Sequence, residues 1–188
     1  MKTFANSILL AAFLIGTSAF AQDLKVDLSK SSLKWTGKKI GGAHNGQISL
    51  KDGSMKIAEN QITSGTFVID MTTITCTDLT GEWNEKLVGH LNSDDFFSTS
   101  NFKTATLVIS SATKFSNGVA QVKGKLTIKG MTHPVSFDVK QSGKTYTATV
   151  NVDRTLYDIR YGSGKFFDNL GDNTIDDIFT LDVAITTL

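Results

Sequence analysis

The sequence contains very little cysteine and proline. Among its 188 residues there is one cysteine, Cys76, and one proline, Pro134. A lone cysteine excludes an internal disulfide, so the core and the backbone hydrogen bonds have to stabilise the fold, with Cys76 as a small core residue. Because the sequence also lacks a linker-like or low-complexity stretch, we expect a single domain.

An excess of charge and the motifs of common enzyme classes are missing as well. The chain has 19 Lys and Arg residues against 18 Asp and Glu residues, a balance that gives no reason to expect a nucleic-acid partner. His44, His90 and His133 are far apart and lack further ligands at metal spacing. Ser163 has no nucleophile elbow around it. We therefore predict no metal and no catalytic residue, and a protein that is not an enzyme.

Long apolar runs are absent except near the N-terminus. Lys2 is followed by an apolar run over residues 8–15 and then by Ala19-Phe20-Ala21. This order is typical of a signal peptide, and the run is too short to cross a bilayer. We predict that residues 1–21 are a cleaved signal peptide and that residues 22–188 form the domain. The domain would be exported to the periplasm of a Gram-negative bacterium or secreted beyond it.

What the sequence does contain is alternation of apolar and polar residues with a period of two. Each alternating segment has one apolar and one polar face, which is typical of a strand in an antiparallel sheet. The candidate strands are residues 24–28, 33–40, 46–50, 54–58, 66–73, 105–109, 122–129, 135–140, 146–152 and 179–185. Turn signals between them are Lys51-Asp52-Gly53, Asn117-Gly118, Lys129-Gly130 and Ser142-Gly143.

One segment, residues 82–91, has helical spacing instead. Its apolar side chains and one histidine follow positions i, i+4, i+7 and i+8, at Trp83, Leu87, His90 and Leu91, with Thr80 as a candidate N-cap. A helix inserted into a series of eight or more short strands indicates an all-β fold. We predict an antiparallel β-barrel of about eight strands with a short inserted helix.

The lumen of such a barrel is either filled by side chains or occupied by one small ligand, and periodicity does not decide between the two. The inward-facing residues are mainly aliphatic and aromatic, so a ligand would be apolar and elongated. The helix and the loop through Phe97 would form a lid. The residues expected to line the lumen and its mouth are Trp35, Phe67, Ile69, Trp83, Leu87, His90, Leu91, Phe96, Phe97, Leu107, Ile109, Leu126, Ile128, Phe137, Val150, Arg154, Phe179 and Leu181.

Arg154 is one of only two arginines in the chain and directly follows the candidate strand 146–152. Side chains alternate along a strand, so Arg154 falls on the same face as Val150 and Val152 if the strand continues. A guanidinium that points inward needs a strongly polar or anionic partner. That partner is either a carboxylate of the protein or the head group of a ligand.

Several segments together resemble the YceI-like family of bacterial exported proteins. They are Gly42-Ala43-His44-Asn45-Gly46, residues 65–74, residues 90–97, residues 124–134, and Asp153-Arg154 continuing to Phe166-Phe167. The resemblance implies a lipocalin-like barrel that binds polyisoprenoids or related amphiphiles such as a quinone precursor, a long-chain amide or a fatty acid. Residues 34–39 and 162–168 depart from the commoner family pattern, which bears on the identity of the ligand.

Two hypotheses follow. In the first, the protein binds and carries one amphiphilic lipid, with no other cofactor, and makes transient membrane contact to exchange it. In the second, the barrel is filled and the protein acts through its outer surface or as a homodimer.

Overall fold

The computed structural model describes residues 21–188, which form one antiparallel sheet and one α-helix. The strands and the helix, in chain order, are β1 (Gln22–Lys25), β2 (Ser32–Lys39), β3 (Gly42–Ala58), β4 (Gln61–Cys76), α1 (Gly81–Asn92), β5 (Thr104–Ala112), β6 (Val119–Ile128), β7 (Met131–Ser142), β8 (Thr145–Asp153) and β9 (Ile178–Thr186). The predicted signal peptide lies, apart from Ala21, outside the described residues.

The sheet closes on itself into a barrel. The strand order is β1-β3-β2-β9-β8-β7-β6-β5-β4, and β4 pairs again with β3. Both β1 and β2 pair with β3, β1 at residues 54–57 and β2 at residues 42–48, so the two short strands share one position in the ring. The result is a closed antiparallel barrel of eight strand positions, as the alternation of apolar and polar residues predicted.

The inserted helix is present and slightly longer than predicted. It occupies Gly81–Asn92 between β4 and β5, and Thr80 stands at its N-cap position with an extended backbone. The side chain of Thr80 makes no capping hydrogen bond, however. Among the described residues, no helix is both long and apolar enough to cross a bilayer.

One predicted turn is wrong. Lys51-Asp52-Gly53 lies inside the continuous strand β3, where the pairing with β4 shifts register between Leu50 and Asp52. A register shift of this kind is a β-bulge, which bends a strand without ending it, so the glycine marks a bend of the barrel wall. The actual turn between β3 and β4 is Glu59-Asn60, two residues with positive φ and no glycine to announce them.

The other predicted turns are confirmed as hairpin turns. Asn117-Gly118 and Lys129-Gly130 each have two residues with positive φ, the conformation that tight hairpins require, and Gly143 has a φ of 59°. The hairpin at Gly143 joins β7 to β8, whose ladder contains only the four pairs from Val139↔Ala148 to Ser142↔Thr145.

The core is the inner face of the barrel. Val122 and Val152, for example, are almost completely buried, and the free Cys76 is buried at 8 % exposure, as expected of a core residue. The loop after β8 adds Tyr157 and Ile159, both at most 1 % exposed, to the end of the barrel near α1.

Candidate ligand-binding cavity

The lumen is not filled by side chains. It contains an upper cavity of about 140 Å³ beneath α1 and a lower cavity of about 80 Å³ farther along the barrel. Ile69, Leu126 and Leu181 line both cavities, so the two are adjacent along the barrel. Their walls come from the inward positions of the strands, where the sequence places apolar residues at every second position.

Every residue predicted to line the lumen except Trp83 borders one of these cavities. The upper cavity is bordered by Trp35, Ile69, Leu87, His90, Leu91, Phe96, Phe97, Leu126, Ile128, Arg154, Phe179 and Leu181. The lower cavity is bordered by Phe67, Ile69, Leu107, Ile109, Leu126, Phe137, Val150 and Leu181. Whether these residues contact a ligand remains a prediction, which the experiments below address.

Trp83 is a correction to the sequence analysis. Its side chain is 69 % exposed and borders neither cavity, with the Lys86 ammonium 5.1 Å from the centre of its ring. Burial along α1 increases toward the C-terminal end, where Leu87 is half-buried and Leu91 is buried. The helical spacing identified the inward face correctly, but the first turn of α1 extends past the rim of the barrel.

Arg154 points into the protein, as its place after β8 predicted, but its hydrogen-bond partners are backbone carbonyls. The side chain is 2 % exposed. Its guanidinium donates to the carbonyl oxygens of Asp176 (3.0 Å), Ile159 (2.8 Å), Tyr161 (2.8 Å) and Ile175 (3.0 Å). The group thereby ties together both ends of the loop that covers the upper cavity.

A carboxylate also contributes to the environment of Arg154, at longer range. Asp177 Oδ1 lies 3.7 Å from Arg154 Nη2. Burial lowers the pKa of the Arg154 guanidinium, and Asp177, Asp153 and Asp176 oppose that shift. The expected pairing with a protein carboxylate is therefore partly present, but backbone carbonyls hold most of the donors.

Lys165 forms ion pairs with two of the carboxylates near Arg154. Its ammonium lies 2.9 Å from Asp153 Oδ2 and 3.4 Å from Asp177 Oδ2. Partial burial works against ionisation of Asp153, but hydrogen bonds from Thr155 and Lys165 outweigh it and lower the pKa of this carboxyl. The Asp153 carboxylate is thus held ionised near the buried arginine.

His90 differs from Arg154 because one of its polar atoms has no partner. Its ring lies 5.1 Å from the ring of Phe96 and 4.4 Å from that of Tyr161, with edge-to-face geometry. His90 Nε2 is buried and makes no hydrogen bond. Within residues 21–188, Asp177 Oδ1 is the only other buried side-chain oxygen or nitrogen without a partner.

The motif Gly42-Ala43-His44-Asn45-Gly46 shapes the wall around the upper cavity. Trp35 Nε1 donates to the carbonyl of Thr75 at 2.9 Å. A Cβ atom on Gly46 would lie 1.7 Å from that carbonyl oxygen, so only glycine allows the two strands to approach here. The hydrogen bond fixes the Trp35 ring against the cavity.

His44 and Asp78 form a polar pair at the rim of the upper cavity, with His44 Nδ1 2.8 Å from Asp78 Oδ2. Desolvation raises the pKa of Asp78, but hydrogen bonds from the Asn45 amide, His44 and the Cys76 thiol outweigh it and lower the pKa to about 2. Among residues 21–188, no three His, Cys, Asp or Glu side chains come together in a group that could hold a metal ion.

The sequence analysis missed several lining residues. Met71 and Ile74 border the upper cavity, and Met71 continues the period-two series of Phe67 and Ile69 along β4, so that signal was available. Ile175 also borders this cavity, but it lies in the loop before β9, where no periodicity marks a residue as inward-facing.

Comparison with known proteins gives one family. The model of the YceI-like domain matches residues 24–187. A UPF0312 protein of Shewanella denitrificans is 26 % identical over 146 residues, which cover 76 % of this chain and 74 % of the relative. A UPF0312 protein of Staphylococcus aureus is 43 % identical over 60 residues, 32 % of each chain.

Two solved structures share the fold. Burkholderia cenocepacia BcnA superposes with a TM-score of 0.66 at 23 % identity, covering 85 % of this chain and 98 % of BcnA. A polyisoprenoid binding domain from Saccharophagus degradans superposes with a TM-score of 0.59 at 15 % identity, covering 87 % of this chain and 97 % of that domain.

Proposed function

The chain belongs to the YceI-like domain family, and we propose that it binds and carries one isoprenoid or other long-chain amphiphilic lipid in the lumen of its barrel, without catalysis. The observation that carries the proposal is the pair of adjacent cavities along the barrel, whose walls are almost wholly apolar. The polyisoprenoid binding domain among the structures with the same fold supports the ligand class.

The physical chemistry of an apolar lumen suits carriage. Each CH₂ group moved from water into such a space contributes about 0.8 kcal/mol, so a long tail is retained firmly against water. A bilayer offers the tail a similar free energy, so transfer between membrane and barrel is close to balanced. We therefore propose that the protein exchanges its lipid during transient contact with a membrane. With the predicted signal peptide, the periplasm is the proposed compartment.

The buried polar groups of the upper cavity, Arg154 and His90, favour a neutral head group, whereas the two lysines that border it, Lys38 and Lys39, are exposed. The Arg154 guanidinium is occupied by four backbone carbonyls, which leaves it little capacity to hold a phosphate. His90 Nε2 is buried and free to make one hydrogen bond, as donor or acceptor according to its tautomer. A hydroxyl or carbonyl at the end of the lipid, placed beneath α1, would satisfy that atom.

Native mass spectrometry tests the carriage itself. Protein purified from its native source without detergent should carry a discrete added mass that disappears on organic extraction, and the extract should contain a lipid. An unloaded protein that also fails to bind added geranylgeraniol would refute the proposal. Assembly into a homodimer without ligand mass would favour the second hypothesis, in which the protein acts through its outer surface.

A pair of matched variants tests the position of the head group. His90→Phe keeps a ring in place but removes the hydrogen bond, so we expect the affinity for geranylgeraniol to fall about two- to tenfold, as for one hydrogen bond. His133→Phe is the control because His133 borders neither cavity. The affinity for the matching hydrocarbon, which lacks the hydroxyl, should be unchanged in both variants. Equal effects on the alcohol and the hydrocarbon would contradict the role of His90.

A further inference from the structure

The barrel wall is weakly joined between β7 and β8. These strands contain 12 and 9 residues but share only four ladder pairs, as few as the four-residue strand β1 shares with β3. By contrast, β6 and β7 share ten pairs and β8 and β9 share nine. Residues 131–138 of β7 therefore form no ladder pair with residues 149–153 of β8. We call the gap between these two segments the side split.

Pro134 lies in the side split and helps to keep it open. The two-residue turn Lys129-Gly130 makes Ile128 and Met131 a hydrogen-bonded pair, so odd-numbered residues of β7 bond to β6 and even-numbered ones face β8. Pro134 faces β8 and has no N–H to donate. A proline inside a sheet is tolerated where the strand edge is unpaired, which is the situation here.

The lower cavity reaches the side split from the inside. Val135 and Phe137 of β7 and Val150 of β8 border this cavity from the two sides of the split. On the outer surface lies a groove of about 580 Å³. The groove borders Asp138 and Thr149, the first positions beyond the ladder, so it reaches one end of the side split from the outside. The residues that it shares with the lower cavity, Thr147, Ala148 and Val183, are ladder-paired and form the joined wall beside the split.

Opening either end of the lumen disturbs buried groups. Displacing the segment between β8 and β9 at the upper end would separate the buried Arg154 guanidinium from its four carbonyls. At the lower cavity, Met55 and Ile62 are 3 % and 2 % exposed. Parting β7 from β8 at the side split breaks no ladder hydrogen bond, because none is formed there.

We propose that the lipid tail enters and leaves the lumen sideways, through the side split, and so passes between the barrel and a bilayer without unfolding either end. This inference rests on the proposed function, since it concerns the route of the carried lipid. Sideways passage lets an apolar tail move from one apolar environment to the other along its length, which limits its exposure to water.

A reversible cross-link tests the route. Continued in register, the β7–β8 ladder would place Ser136 opposite Asn151, and both are exposed. The variant Ser136→Cys/Asn151→Cys, made in a Cys76→Ser background, is bridged by a short bifunctional methanethiosulfonate reagent. The matched control is Asn151→Cys/Thr180→Cys, which shares one cysteine and bridges a pair already formed between β8 and β9. The probe is all-trans-retinol, a fluorescent isoprenoid alcohol, released to phosphatidylcholine vesicles.

We expect the bridge across the side split to slow retinol release at least tenfold, and reduction of the bridge to restore the rate. The control bridge should change the rate less than twofold. Unchanged release from the bridged Ser136→Cys/Asn151→Cys protein, or equal slowing in the control, would overturn the inference. Failure of the unbridged protein to bind retinol would instead count against the proposed function.

Amide hydrogen exchange in the unaltered protein examines the side split without a variant. The Ser136 amide faces the split and should exchange quickly, whereas the Val135 amide, which bonds to β6, should be protected. Equal protection of both amides would mean that the ladder continues and that no side split exists.

Discussion

Replacing Arg154 by methionine is expected to destabilise the protein strongly. Methionine keeps the apolar stem of the side chain but removes every donor of the guanidinium. The four carbonyls that Arg154 binds belong to the segments before and after the loop over the upper cavity, at Ile159, Tyr161, Ile175 and Asp176. Without the guanidinium, these carbonyls lose their shared partner.

The magnitude follows from burial and from the number of bonds. A buried carbonyl left without a partner costs about 1–3 kcal/mol. Four such costs are not additive, because the exposed side of the loop can relax and admit water. Removing one partner of a buried ionic cluster typically costs about 3–5 kcal/mol, so we expect a loss of about 4 kcal/mol. For a domain of this size that corresponds to a fall in Tm of about 8–16 °C.

Urea unfolding followed by tryptophan fluorescence, with Tm from circular dichroism, measures this loss. Arg160→Met is the matched control, because the Arg160 side chain is 59 % exposed and contacts only the exposed Asp158 and Phe166 among the described residues. Its stability should change by no more than about 0.5 kcal/mol. Arg154→Lys keeps the charge but not the planar fork and should recover only part of the stability. A loss below about 1 kcal/mol in Arg154→Met, or an equal loss in Arg160→Met, would refute the reasoning.

Three further predictions concern the wall of the upper cavity. Gly46→Ala should destabilise the protein by more than about 2 kcal/mol in urea, because its Cβ would lie 1.7 Å from a backbone oxygen of β4, whereas Gly37→Ala, with no atom within 4 Å, should not. The pKa of Asp78 is lowered to about 2, so its ionised form stabilises the fold above about pH 4, and that stability is lost as the pH falls through about 2. Asp78→Asn should therefore flatten the dependence of Tm on pH between 4 and 2, and an unchanged slope would contradict the assignment. Energy transfer from tryptophan to bound retinol should fall more in Trp35→Phe than in Trp83→Phe, since Trp35 borders the cavity and Trp83 does not.

Much of the site could be predicted because the strands are regular. Along β4, Phe67 and Ile69 follow a period of two, and that period requires both side chains to lie on one face of the sheet. Closure of the barrel then makes this face the lumen. The same rule carried beyond the end of β8 predicted that Arg154 points inward.

Where regularity ends, the predictions fail for identifiable reasons. Trp83 has the spacing of its inward neighbours Leu87 and Leu91, but spacing gives the face of a helix and not how far the helix reaches over the rim. Asp52 and Gly53 have the composition of a turn, yet their pairing with Val68 and Phe67 of β4 keeps the strand continuous and leaves a bulge.

The sequence by itself determined the antiparallel barrel, the inserted helix, and the apolar character of the lumen, because these follow from side-chain periods of 2 and 3.6 residues. Tertiary structure alone decided what Arg154 binds, that His90 Nε2 has no partner, and that β7 and β8 part along the side split. Each of these depends on which backbone groups from distant segments meet in space. Local periodicity contains no information about that meeting, since it records the direction of a side chain and not its neighbour across the barrel.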